Sequence, residues 1–348
     1  MNCLNRNGIQ IGGNFPTFII AELSANHKQS FDIAVETVKV AKETGADAIK
    51  LQTYTADTIT INCNKEHFQI KEGLWEGKNL YQLYQEAYTP WEWQPKLKKI
   101  ADELGLICFS SPFDKTAVDF LEKMDVPAYK VASPEITDIP LIQYIASKGK
   151  PVIISTGIAT MEDIQEAVNA CREMGNDKII LLKCTSVYPA PIEEANLRTI
   201  PDLAERFDVI AGLSDHTLGI TVPVTAVALG AKVIEKHFIL DKSVGGPDAA
   251  FSLDKAQFKK MVDAVRSAEK ALGKVNYEIS EKVKKSRIFS RSLFVVRDMK
   301  KGNMFSEENV RSIRPGYGLA PKHLKEITGK LATKNVKKGT PLRWELIK

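Results

Sequence analysis

Short apolar, often β-branched runs recur along the chain, and each is followed by a stretch whose apolar positions return every three or four residues. The runs fall at residues 18–21, 48–53, 107–111, 128–133, 152–156, 179–185, 209–214 and 232–238. Runs of this length predict buried strands, and the periodicity after them predicts amphipathic helices. The last helix is the clearest, with Phe258, Met261, Val262, Val265 and Leu272 on one stripe and Gly273 as a stop signal. Eight strand–helix units in about 260 residues predict a TIM (β/α)8 barrel. The alternative α/β fold, a doubly wound open sheet, would carry a glycine-rich first turn, and no GxGxxG follows the first run.

Two segments depart from a minimal barrel. Residues 56–90 interrupt the second unit with an aromatic-rich insertion, too long for a plain connection and too aromatic for disorder. It predicts a folded lid or an interface. After the barrel domain, residues 1–275, a charged linker at 276–289 leads to a small domain at 290–348. There the pattern predicts strands at 292–296 and 342–346, turns at Lys301-Gly302 and Lys338-Gly339, and a brief helix over 306–310 started by Ser306. A unit this small is marginal alone, so docking on the barrel or on a partner chain is expected.

Composition narrows the class. The chain has 348 residues, 44% hydrophobic and 26% charged, enough for a core that needs no disulfides. Its net charge of +5 is spread out, and the basic run from Lys282 to Arg287 reads as a solvated helix end, so no nucleic-acid partner is expected. Five cysteines without regular spacing suit a reducing compartment. The first residues lack a secretory signal's apolar stretch, and no run approaches the roughly 20 residues that span a bilayer, so a cytoplasmic protein without a membrane partner is expected.

Barrel enzymes place their chemistry at the C-terminal ends of the strands. Here those ends carry Glu22, then Asn26-His27; Lys50 and Gln52; Ser110-Ser111; Lys130, Ser133 and Glu135; Ser155-Thr156-Gly157; Thr185-Ser186 with Tyr188; Ser214 and His216; and Glu235 with His237. Strand alternation puts Gly212, Ser214 and His216 on one face and Val233, Glu235 and His237 on another. If both faces point inward, the two histidines meet at the mouth. Imidazoles supported by carboxylates suit Mn²⁺, Fe²⁺ or Zn²⁺, although hydrogen-bonded histidines without metal remain an alternative. His67 and His323 read as surface residues and His27 as structural. Lys50 and Lys130 with Ser133, Ser155, Ser186 and Ser214 make a ring of donors suited to a phosphate and a carboxylate together. A Schiff-base lysine is the alternative, disfavoured by the crowd of phosphate-type donors.

Five motifs then spell a family. Ala21-Glu22-Leu23-Ser24-Ala25-Asn26-His27, Lys130-Val131-Ala132-Ser133-Pro134-Glu135, Leu213-Ser214-Asp215-His216-Thr217, Glu235-Lys236-His237-Phe238 and Gly246-Pro247-Asp248 resemble the sialic acid synthase family of phosphoenolpyruvate-dependent nonulosonate synthases. Arg311-Ser312-Ile313-Arg314-Pro315-Gly316 resembles its antifreeze-like (SAF) domain. Leu51-Gln52-Thr53-Tyr54-Thr55, Cys184-Thr185-Ser186-Val187-Tyr188 and the insertion from Leu74-Trp75-Glu76-Gly77-Lys78 through Tyr88-Thr89-Pro90-Trp91-Glu92-Trp93 resemble the family's pseudaminic branch. Where Ser186 stands, the N-acetylneuraminate synthases usually have a ligand-touching asparagine, which favours a different sugar here.

The resemblance implies joining C3 of phosphoenolpyruvate to the aldehyde of an open-chain acylamino sugar, with water attacking C2 and phosphate leaving. For the pseudaminic branch the sugar is 2,4-diacetamido-2,4,6-trideoxy-L-altrose, and the product decorates a bacterial surface or flagellin. The alternatives are an N-acetylneuraminate or legionaminic acid synthase and, remotely, a non-catalytic binding subunit. By the same resemblance His216 and His237 would hold a divalent metal, Mn²⁺ foremost, with Mg²⁺ or Co²⁺ as alternatives. Lys50, Lys130, Ser133, Ser155, Ser186 and Ser214 would hold phosphoenolpyruvate. Glu135 would activate the water, Glu22 and Glu235 would hold water, metal or sugar hydroxyls, and Tyr188 and Asp248 would touch the sugar. Arg314 would reach it in trans within a domain-swapped homodimer. Tyr81, Tyr84, Trp91 and Trp93 of the insertion are available to cover the sugar's apolar parts; the alternative is that Trp91 and Trp93 start the second helix and pack in the core.

Overall fold

Val233 pairs with Phe18, and that pairing closes a ring of eight parallel strands. The computed structural model describes residues 3–6 and 9–348, in two units, Met1–Gly273 and Lys274–Lys348. The first begins with an antiparallel hairpin of β1 (Cys3–Arg6) and β2 (Ile9–Gly12), which the sequence pattern does not announce. The barrel follows: β3 (Phe18–Glu22), β4 (Ala48–Thr53), β5 (Ile107–Pro112), β6 (Tyr129–Val131), β7 (Val152–Ser155), β8 (Ile179–Cys184), β9 (Ile210–Asp215) and β10 (Val233–His237). The TIM-barrel expectation holds. The strands are nearly uniformly apolar because both faces are covered, one by the barrel interior and one by helices.

The helices show why the wall is stable. The helix Lys255–Leu272 starts at a capping box between Asp254 and Gln257 and buries Phe258, Met261, Val262 and Val265. Leu272, expected on that stripe, is instead exposed at the helix's last position. Each fully buried side chain of this kind contributes about 1.5–3 kcal/mol of apolar transfer. β6 is shorter than expected, because Pro134 follows Ser133 and the chain turns into a 3₁₀ segment, Ser133–Thr137. Among the described residues no helix is long and apolar enough to cross a membrane.

The second unit has its own core of Leu293, Val295, Met299, Phe305, Val310, Ile327, Ala332, Val336, Leu342 and Leu346. Its two strands, β11 (Ser292–Val295) and β12 (Val310–Ile313), pair antiparallel. The helix expected over residues 306–310 is a turn. The Ser306 carbonyl accepts from Asn309 and Val310, Asn309 Oδ1 accepts from the Ser306 N–H, and Val310 then enters β12. The brief helix lies at Leu324–Ile327, and the strand expected over 342–346 is a short 3₁₀ turn, Trp344–Leu346. The basic run sits on an exposed helix, Glu281–Ser286.

Candidate active site

Strand register brings the predicted groups together. Glu22 is level with Lys50 on one side and His237 on the other, and Ser214 is level with both Glu235 and Cys184. At the centre Lys50 Nζ lies 2.7 Å from Glu22 and 3.5 Å from Glu235, and donates to Ser111 Oγ at 3.3 Å. Ser214 Oγ donates to Glu235 Oε1 at 3.2 Å, while Gln52 Nε2 donates to Glu22 and Ser24, both at 2.9 Å. Burial alone would neutralise all three charges. It pulls the Lys50 ammonium down, but the two carboxylates raise it more and keep it charged. Burial also opposes Glu235, yet Lys50 and Lys130 hold it below the usual carboxylate range, whereas burial leaves Glu22 raised.

Beside this cluster Lys130 Nζ donates to Ser155 Oγ at 2.6 Å and to the Val131 carbonyl, and burial lowers its pKa. The Gly157 N–H donates to Ser133 Oγ at 3.0 Å. A Cβ on Gly157 would collide with Ser186 Oγ and would lie 2.7 Å from Ser133 Oγ and 3.1 Å from Cys184 Sγ. The missing side chain therefore leaves room among three donors. Glu135 sits at the rim in the 3₁₀ segment, and burial pushes its carboxyl up to about 7 although Lys130 and Lys50 oppose the shift. Its Oε2 makes no hydrogen bond.

His216 and His237 meet as expected, with ring centroids 5.3 Å apart. His216 Nδ1 is 2.9 Å from the Thr185 carbonyl, which can only accept, so Nδ1 carries a proton. Burial opposes a second, while Cys184, the Thr185 carbonyl and Asp215 favour it and raise the pKa, and Nε2 has a lone pair in the neutral ring. His237 Nδ1 makes no hydrogen bond, and Asp248 Oδ2 is 3.7 Å away. Burial, then His216 and Lys50, drive His237 well below its ordinary pKa, keeping it neutral. Among the described residues no group of three or more His, Cys, Asp or Glu is placed as a complete metal cage. Two neighbouring imidazoles, each with a lone pair in its neutral form, are of the type that would hold a divalent ion.

Around the imidazoles lies an aromatic cluster. The Tyr188 ring is 4.4 Å from His216 and 5.1 Å from Phe251, which is 4.8 Å from His237. Trp75, from the insertion, reaches Tyr188 at 5.7 Å. Phe251 belongs to none of the family motifs, and Trp75 only to the insertion's Leu74-Trp75-Glu76-Gly77-Lys78 segment. The insertion residues expected at the sugar behave differently. Trp91 donates to the Tyr54 carbonyl and packs on Phe120, and Trp93 packs on Phe31 and His27, so both start the helix Gln94–Glu103 as core anchors. The Tyr81 hydroxyl donates to Asp57, and Tyr84 packs on Tyr54.

Cys184 was also passed over, since a cysteine in an apolar run reads as packing. Its Sγ is 3.8 Å from His216 Nδ1 and 4.0 Å from Ser186 Oγ. Burial opposes its ionisation, but His216, Ser133 and Lys130 outweigh that and bring the thiol down to about 7. His27 is structural, with Nδ1 accepting from the Gln29 N–H and Nε2 3.2 Å from Thr89 Oγ1. His67 is exposed, and His323 lies beside Glu326 and Trp344. Arg314 lies exposed just after β12 in the second unit.

The chain is similar to known proteins over almost all its length. Residues 37–277 match the NeuB family and residues 290–348 the SAF domain. It is 52% identical over 335 residues to the pseudaminic acid synthase of Campylobacter jejuni subsp. jejuni serotype O:2, covering 95% of this chain and 98% of that one. It is 48% identical over 328 residues to the pseudaminic acid synthase of Helicobacter pylori, covering 94% and 96%. Against the N,N'-diacetyllegionaminic acid synthase of Legionella pneumophila identity is 39% over 347 residues, covering 98% of both. Among solved structures, the N-acetylneuraminic acid synthetase of Leptospira borgpetersenii serovar Hardjo-bovis in complex with citrate superposes with a TM-score of 0.72 at 31% identity, covering 82% of this chain and 95% of that one.

Proposed function

Because this chain belongs to the NeuB family and ends in a SAF domain, we propose that it condenses phosphoenolpyruvate with 2,4-diacetamido-2,4,6-trideoxy-L-altrose and water, giving pseudaminic acid and phosphate. One observation carries the chemistry: two buried lysines and a ring of hydroxyls lie at the same barrel mouth as two facing imidazoles. The branch rests on identities of 48–52% to curated pseudaminic acid synthases, against 39% or less to the legionaminic acid synthases.

Lys50 and Lys130, with Ser133, Ser155, Ser186 and Ser214, hold the phosphate and carboxylate of phosphoenolpyruvate. C3 of the enol forms the new bond to the aldehyde carbon, water adds at C2, and phosphate departs. Glu135, raised and unbonded at Oε2, accepts the proton of that water. Glu22 and Glu235 balance Lys50 so that it faces the incoming anion already charged. Tyr188 and Asp248 orient the sugar beside the imidazoles. His216 and His237 would hold a divalent ion, Mn²⁺ first, which when bound supplies Lewis-acid polarisation of the aldehyde. Five free cysteines support a reducing, cytoplasmic setting. The exposed Arg314 is proposed to complete a partner's site within a homodimer.

The test is phosphate release from phosphoenolpyruvate with this altrose, with legionaminic-type precursors and with N-acetylmannosamine, each with and without added Mn²⁺. Release with the altrose in preference to the others is expected, and His237→Ala should remove the metal response while the fold persists. No release with any acylamino hexose would sink the reading.

A further inference from the structure

We propose that Trp75 is a specificity-determining residue for the acylamino sugar, presented by a hairpin-like loop of the insertion; the inference rests on the synthase reading above. The loop is closed at its base, where Gln69 bridges Asn79. The Ile70 N–H donates to the Lys78 carbonyl at 2.9 Å, and the Gly77 N–H to the Ile70 carbonyl at 3.1 Å. Gly73 (φ +91°) and Gly77 (φ +87°) make the turns that flank Trp75, in a backbone region other residues rarely adopt. Leu74, Glu76 and both glycines are exposed, so the tip has no apolar packing of its own. Trp75 alone is half-buried there, and it reaches across the chain.

Its partners are the two loops that carry the sugar-side groups. The indole Nε1–H donates to the Pro247 carbonyl at 3.0 Å, next to Asp248, and the ring packs on Tyr188, which in turn lies on His216. Its hydrogen bond and its ring contact both lie outside the lysine and serine cradle. With its only polar group committed to Pro247, what Trp75 offers a substrate is carbon. Such a surface accepts a methyl group or the methyl of an acetamide. A hydroxyl pressed against it loses its water without gaining a partner, a discrimination of about 10- to 200-fold in sites of this kind. A 6-deoxy sugar is therefore favoured over one with a 6-hydroxyl.

The experiment compares wild type, Trp75→Ala and Trp75→Phe, full-length and with Mn²⁺, on the 6-deoxy diacetamido altrose and on N-acetylmannosamine, recording kcat and both KM values. Trp75→Ala should raise the sugar KM by about tenfold or more, leave the phosphoenolpyruvate KM unchanged and shrink the preference for the 6-deoxy sugar. Trp75→Phe, which keeps a ring and loses only the bond to Pro247, should recover most of that preference, and it carries the comparison if the alanine variant does not fold. An equal loss on both sugars, or a matching rise in the phosphoenolpyruvate KM, would overturn the proposal. Wild type inert toward both sugars would instead mark the failure of the synthase reading.

Discussion

Lys236 and Asp215 join β10 to β9 through an ion pair of 2.5 Å, each one residue from a site histidine. Both are buried, and alternation along the strand turns them away from the barrel interior while His216 and His237 face it. Lys236 also donates to the Thr217 carbonyl, so one ammonium ties down the chain on both sides of His216. Removing one partner leaves a buried charge uncompensated, at a cost of about 3–5 kcal/mol. Asp215→Asn or Lys236→Met should each lower the unfolding free energy by that order, with the double variant recovering part of it. Denaturant titration checks this, and additive losses would show that the pair does not act as a unit.

Gly157 makes a sharper test of the anion cradle. It does not occupy the left-handed backbone region, so alanine meets no strain of that kind there, and the atoms nearest its Cβ would be side-chain atoms of Ser186, Ser133 and Cys184. Displacing binding groups by about 1 Å can cost on the order of 100-fold in rate. Gly157→Ala is expected to raise the phosphoenolpyruvate KM well above wild type while the melting temperature and sugar KM stay put. Steady-state kinetics with each substrate varied in turn decides it.

Glu135 predicts an acid limb. Its carboxyl is raised to about 7 by burial, with Asp138 adding to the rise and Lys130 and Lys50 opposing it, and Tyr84 is within electrostatic reach. As a base it must be ionised, so kcat/KM should climb as pH passes through about 7. Glu135→Gln should lose that limb together with about 10²- to 10⁴-fold of rate. Stability runs the other way. The folded pKa exceeds the unfolded one, so the group's contribution is complete below about 4.5 and is lost as pH rises through 7. The glutamine variant should therefore gain on wild type above neutrality.

His27 predicts acid sensitivity of the fold. Burial lowers its pKa to about 4, and the Gln29 N–H already occupies Nδ1. With the folded pKa below the unfolded value of 6.5, the stabilising contribution is whole above 6.5 and is lost as pH falls toward 4. A shift of this size corresponds to about 3 kcal/mol. His27→Asn should flatten the dependence of unfolding free energy on pH between 7 and 4, measured by denaturant titration at several pH values.

The barrel was legible because its strands are covered on both sides, which leaves runs such as Ile179–Cys184 almost purely apolar. The polar ends of those runs carry Glu22, Lys50, Lys130, Ser155, Ser214, His216, Glu235 and His237 to one barrel mouth, since strand parity carries a sequence position into a facing direction. What could not be read was which aromatic of the insertion turns inward. Trp91 and Trp93 stand beside the helix start and pack there, the second of the two alternatives their positions offer, whereas Trp75 stands between Gly73 and Gly77, whose positive φ turns the loop. Ser306 misled in the opposite sense. Serine followed by two glutamates opens many helices, but Asn309 caps Ser306 into a turn and Val310 goes straight to a strand. The Cys184 thiol was invisible because its environment comes from β9 and the Ser133 segment, not from its own neighbours in sequence.

Glu135 Oε2, Glu235 Oε2 and His237 Nδ1 are buried at the barrel mouth without hydrogen bonds. A ligand group that pairs with a buried polar atom of this kind is worth about 1–3 kcal/mol relative to one that leaves it unpaired. The protein is thus its own thermal reporter. A compound that supplies complementary donors or a cation should shift the melting curve, because only the folded chain assembles these atoms in one place. Melting curves can therefore rank candidate sugars, anions and metals before any product is made or any turnover is followed.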